Sequence, residues 1–181
     1  SLIGVYLAGA VDPYFAVLVR LTLACLLFAP LMRWRDTDWP RAAGLMGVGV
    51  LQIGLMYTFF YQSFELLSVP EVLLFTIFTP IYVTVLEDML RARFAPVHLL
   101  SAVLAVAGAA LIRYQGISEQ FWGGFLVVQG ANLCFAAGQV GYRRLVVRWP
   151  AGHDEWRDFG WFFVGAWPVV AVLFATLGDY D

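Results

Sequence analysis

Charge is the scarcest property of this sequence. Acidic and basic residues together make up 13% of it, lysine is absent, and there are two cysteines and two histidines. Each shortage removes a class of protein. A water-soluble domain carries charge on about a quarter of its residues, so a chain this poor in charge and 61% hydrophobic belongs in a membrane. A net charge of −2 leaves no general basic patch for nucleic acid. Cys25 and Cys134 both lie within apolar runs and read as buried free thiols, not as a disulfide or metal pair. There is no HExxH, no phosphate-cradling glycine loop and no Ser/His/Asp set placed for intramembrane hydrolysis. The residues therefore call for no enzyme activity, metal or cofactor, and no loop is long enough to hold a soluble domain.

What the sequence does hold is apolar runs of membrane length. A hydrocarbon core takes about 20 helical residues at about 1.5 Å each. Such runs occupy Tyr14–Met32, Ala42–Gln62, Val69–Leu90, Pro96–Tyr114, Phe121–Tyr142 and Phe159–Leu177. Ser1–Gly9 reads as the end of another span, and with no initial Met the chain reads as a fragment of a longer protein. The expected fold is an all-α polytopic helical bundle in contact with the lipid bilayer. All eleven basic residues are arginine, and nine fall in alternate connections: Arg33, Arg35 and Arg41; Arg91 and Arg93; Arg143, Arg144, Arg148 and Arg157. The positive-inside rule puts the loops 33–41, 91–93 and 143–157 in the cytoplasm, and the turns near Asp12, Glu65–Ser68 and Gln115–Glu119 outside.

The stretch Ser68–Leu90 organises the rest. It has no charge from Val72 to Leu86, yet Glu71 stands in its first turn and Pro80 at its middle. Both are costly in lipid unless they face protein or a water-filled cavity. At 100° per residue, Phe75, Phe78 and Tyr82 fall within about 40° of Glu71, giving one face with an acid above three rings. That face reads as one wall of a site for a small organic molecule, or as aromatics against lipid.

Three further spans carry polar residues at depth. Arg20 lies roughly 10 Å down a helix that enters from the outer side, close in depth to Glu71. It either binds the carboxylate of a solute, which a guanidinium matches with two hydrogen bonds, or serves as a structural partner for Glu71. In the next span Gly47, Gly54, Thr58 and Tyr61 share a face within about 40°, small residues at one end and polar ones at the other. Asn132, with Gln129 close on its face, offers donor and acceptor together. These amides suit a neutral urea or amide group, or act as interhelical glue. Gly130, Cys134 and Gly138 form a separate packing seam.

The segments YFAVLVRLTLACLLFAPLMR, FELLSVPEVLLFTIFTPIYV and LLSAVLAVAGAALIRY resemble the EamA unit of the drug/metabolite transporter superfamily. GVYLAGAVDPYFAVLVR, VLLFTIFTPIY and GQVGYRRL are similar to its biotin-importing branch in bacterial inner membranes. The resemblance implies ten spans in two inverted five-helix repeats, with residues 1–114 most of the first and 115–181 the start of the second. It also implies a secondary transporter of small organic solutes, with biotin or a similar carboxylate as the expected substrate. On that reading Arg20 holds the carboxylate, Asn132 and Gln129 the ureido end, and Phe75, Phe78 and Tyr82 the apolar ring, while Glu71 carries a coupling proton. Export of amino acids or amphiphiles is the alternative within the superfamily. An intramembrane enzyme, or a subunit of a membrane complex, is the alternative outside it.

Overall fold

The computed structural model describes residues 12–32, 37–92, 96–112, 119–149 and 155–178. The stub at 1–9 and Arg33, Arg35, Arg93 and Arg113 lie outside them. Among the described residues every regular element is helical. Helix α1 is Pro13–Phe28, opened by Asp12, whose Oδ1 accepts the Phe15 N–H at 2.7 Å. A 3-10 turn, Ala29–Leu31, extends it to the next connection. Helix α2, Trp39–Gly49, passes through a π-helical segment, Val50–Leu55, into α3, Met56–Leu66. Then come α4, Val69–Phe75, a 3-10 turn at Thr76–Phe78, and α5, Thr79–Arg91. Ala92 ends α5 in the left-handed region at φ 50°. Helix α6 is Pro96–Ile112, α7 is Glu119–Arg148 and α8 is Glu155–Leu177.

Among the described residues, five stretches are long and apolar enough to cross a bilayer: Tyr14–Leu31, Trp39–Leu66, Val69–Arg91, Trp122–Arg148 and Trp156–Leu177. The chain is thus an all-α, multi-pass membrane protein. Exposed Trp39, Trp122 and Trp156 stand at the starts of their helices, where an amphipathic ring sits at the headgroup level. The helices run further than the apolar runs predict. Arg41 and Arg157 lie inside the first turns of α2 and α8, and Arg143, Arg144 and Arg148 on the last turns of α7, not in loops. Arginine propagates a helix well, and cations are favourable at a helix C-terminus.

The chain divides into two compact units, Ser1–Leu55 with Gly141–Asp181, and Met56–Val140. In the first, α8 is the central helix. Phe15 meets Phe174, Trp167 Nε1 donates to Thr22 Oγ1 at 2.9 Å, and Phe28 meets Phe159 and Phe163. Rising numbers on one helix meet falling numbers on the other, so α1 and α8 are antiparallel. Helix α2 runs parallel to α8, because Arg41 pairs with Asp158, Met46 lies against Gly165, and Gly54 against Val169. The contact is close: a methyl group added to Gly49 would lie 2.1 Å from the Phe162 carbonyl oxygen, and one on Gly165 2.3 Å from that of Met46. Only hydrogen fits there, which lets the backbones approach as small residues do in membrane helix pairs. Met32, Ala42, Leu45, Val48, Trp161 and Phe162 form the buried core beside it.

Gly47, which the sequence places on one face with Gly54, is exposed, and among the described residues nothing lies within 4 Å of a methyl group added there. The π-segment is the physical reason. Its i to i+5 bonding stacks residues five apart, which sets Gly49 and Gly54 over one another and breaks the alignment counted at 100° per residue.

In the second unit α7 is central. Gly130 lies against the Phe59 ring and Gly123 near Leu66, so α3 and α7 are antiparallel. Gly124 lies against Leu67, Phe125 against Phe75 and Asn132 against Thr79, so the broken helix α4–α5 runs parallel to α7. Leu67, Val72, Phe75 and Val128 are its buried core, ringed by Phe60, Phe64, Phe78 and Phe125.

Candidate functional site

The polar centre of the second unit grows out of Pro80. A proline has no N–H, so the Thr76 carbonyl lacks the partner that an unbroken α-helix would supply. The Thr79 N–H moves up to bond the Thr76 oxygen, tightening Thr76–Phe78 into a 3-10 turn. In a regular helix that N–H would have gone to Phe75. The Phe75 carbonyl instead accepts the Asn132 side-chain amide from α7, at 2.8 Å. The same NH2 donates to Gln129 Oε1 at 3.1 Å, and the Thr79 hydroxyl donates to Asn132 Oδ1 at 3.1 Å. Asn132 and Gln129 are both buried, and among the described residues the Gln129 Nε2 has no hydrogen-bond partner.

Aromatic rings surround this network. Phe75 and Phe78 meet Phe125 edge-on, with centroids 5.1 and 5.7 Å apart, and Trp122 meets Phe125 at 6.1 Å. Edge-to-face rings of this kind hold one another in place beyond simple area burial. The structure therefore gathers Gln129, Asn132, Phe75 and Phe78 into one cluster. Thr79 and Phe125 belong to the same cluster, although the sequence singles out neither. A hydroxyl beside a proline break, facing an amide on a neighbouring helix, was the available signal for Thr79.

The remaining expected site residues stand elsewhere. Glu71 caps its own helix: its Oε2 accepts the Ser68 N–H at 2.8 Å and the Ser68 hydroxyl, the reciprocal half of a capping box. Tyr61 is half-buried and stacks on Tyr57 at 6.0 Å. Tyr82 is half-buried on α5, beyond the 3-10 turn. Each 3-10 residue turns the chain about 120° and not 100°, so the face counted from Glu71 to Tyr82 does not stay on one line. Arg20 belongs to the first unit, where its side chain is exposed on α1.

That unit carries a second polar pair which the sequence reading did not single out. The Arg41 guanidinium contacts both Asp158 oxygens, at 2.8 and 3.0 Å, with the side chains 12% and 4% exposed. It ties the starts of two parallel helices together. Among the described residues no cluster of His, Cys, Asp and Glu could hold a metal ion.

Comparison with known proteins agrees with this architecture. The profile of the EamA-like transporter family matches residues 2–114. The chain belongs to the EamA-like transporter family. It is similar along 99% of its length to the probable biotin transporter of Pseudomonas aeruginosa, with 51% identity over 179 residues covering 63% of that protein. It is 43% identical over 180 residues to the biotin transporter of Salmonella typhimurium and 42% to that of Escherichia coli K12, covering 60% of each. The chain thus spans about three fifths of the length of these relatives. No solved structure matches it.

Proposed function

We propose that the full-length protein is a secondary transporter that takes up biotin, or a similar small carboxylate, across a bacterial inner membrane. The observation that carries this reading is the near-complete alignment to relatives named as biotin transporters. The residues offer chemistry that suits such a solute. Arg20, a guanidinium well inside a spanning helix, takes the carboxylate. The amide of Gln129, held in place by Asn132, suits the ureido ring, and Phe75 and Phe78 its apolar flank. Glu71 and Tyr61 act at the outer end, Glu71 by holding the helix start. The division into inverted repeats, at 1–114 and from 115 onward, follows the family resemblance. Cytoplasmic placement of the arginine-bearing ends at 33–41, 91–93 and 143–157 rests on the positive-inside rule.

Uptake of radiolabelled biotin into cells lacking their own importer tests the proposal. Cells given the full-length protein accumulate label, and Arg20→Gln abolishes accumulation while the protein still inserts at normal levels. No uptake by the unmodified protein would reject the reading, and unchanged uptake by Arg20→Gln would remove that residue from the site.

A further inference from the structure

Gln129 is the side chain that the second unit leaves unfinished, and the network around it dictates which atoms face where. The Phe75 carbonyl can only accept, so Asn132 must turn its NH2 towards it. Gln129 lies 3.1 Å from that same NH2 and must answer with its oxygen. Thr79 then donates to the Asn132 oxygen, and every polar atom of Asn132 is engaged with protein. What remains is Gln129 Nε2, a donor with no partner among the described residues, and Gln129 is only 9% exposed. A buried donor left without an acceptor is costly, and such groups in a native fold call for an explanation.

Building on the proposed uptake of a biotin-like solute, we infer that Gln129 Nε2 donates to the ring carbonyl oxygen of that solute, with Asn132 as a positioning residue that touches protein only. The group received must be an acceptor. Gln129 Oε1 keeps a second lone pair beyond the one given to Asn132. A urea edge, with N–H beside C=O, therefore pairs with the whole side-chain amide through two hydrogen bonds. A purely cationic amine finds no acceptor at Nε2 and can use only the free lone pair of Oε1. A trapped water is the other possible source of an acceptor oxygen.

The test is equilibrium binding of radiolabelled biotin to purified full-length protein, in competition with the analogue whose ring carbonyl oxygen is replaced by =NH, a cation that donates in place of accepting. Gln129→Leu raises the Kd for biotin at least about tenfold, since it removes both hydrogen bonds and one alone is worth about that. Gln129→Glu keeps an oxygen for Asn132 but sets an acceptor where the donor was. It shifts the preference between the two ligands at least tenfold towards the analogue. Because that preference is a ratio within one preparation, a reduced folded fraction does not alter it. Asn132→Leu removes the donor that holds the Gln129 oxygen, so the amide can turn over and the preference for biotin over the analogue falls, a change that a purely structural residue would not produce. Unchanged Kd and unchanged preference in both Gln129 variants would overturn the inference and assign the donor to water, with the uptake reading intact. Unmodified protein that binds no biotin would overturn both.

Discussion

Single side chains carry large consequences here because hydrocarbon offers no substitute partner. Asn132→Leu strands the Phe75 carbonyl and the Thr79 hydroxyl together. It is expected to cost about 1–3 kcal/mol, read as a lower midpoint for unfolding in mixed detergent micelles. Gly49→Ala forces a methyl group to 2.1 Å from a backbone oxygen, which no side-chain rearrangement relieves. It should cost at least the 1–3 kcal/mol or so of ordinary overpacking, whereas Gly47→Ala, with open space around it, leaves the melting temperature unchanged or raised. The amides of Gln129 and Asn132 were legible in the sequence, since polar groups three residues apart in an apolar helix stand out and face one another. Their anchor, the Phe75 carbonyl, was not, because a backbone acceptor becomes available only where the helix breaks. Nor was the pairing of Arg41 with Asp158, which lie 117 residues apart and look like ordinary interface charges. Arg41→Gln takes the two charged hydrogen bonds of the guanidinium from the buried Asp158 carboxylate and should destabilise by about 1.5–3 kcal/mol, measured by the same denaturation.

At the scale of elements, the broken span Val69–Arg91 shows how a helix interruption can be stabilised from a neighbour. Pro80 forces the 3-10 turn, the turn releases a carbonyl, and the amide on α7 takes it. Pro80→Ala restores the missing N–H and lets the Thr79 N–H return to Phe75, in competition with Asn132. A double-mutant cycle checks this: Asn132→Leu should cost less in the Pro80→Ala background, with a coupling of at least about 0.5 kcal/mol. A coupling of zero would show that the break and the amide are independent. The sequence announced the break through Pro80 but assumed uniform turns on either side of it. Uniform turns also misplaced the glycine seam, since nothing in VLQIGL marks a π-segment. Helical wheels fail at such irregularities, and this chain has one in each of two consecutive spans.

For the molecule as a whole, the run from Pro96 forms a helix of 17 described residues and is not among the five stretches long and apolar enough to cross. The positions of those five, out of the six expected spans, were legible because membrane length and hydropathy set them almost alone. Their ends were not, because arginines belong equally well to a loop and to a helix terminus. Within the first unit, α1 opposes α8 and α2 runs with it. Within the second, α3 opposes α7 and α4–α5 runs with it. These directions suit a chain that reverses at each crossing. Fusion of alkaline phosphatase after Ser68 or Gly116 should give active enzyme on the outer side, and fusion after Asp36, Arg93 or Ala151 inactive enzyme. The opposite pattern would invert the orientation drawn from the arginines.

The π-segment has a bearing on how the chain tolerates changes in length. Five-residue spacing between Gly49 and Gly54 does there what four-residue spacing does in an ordinary helix. The segment thus stores one surplus residue. Deleting Leu51, an exposed position, removes the surplus, regularises the helix and turns the two glycines into a small-xxx-small pair that still meets α8. The same deletion a few turns away would rotate everything beyond it by about 100°. Val50–Leu55 is therefore the place in this span where a codon can be lost without losing the seam.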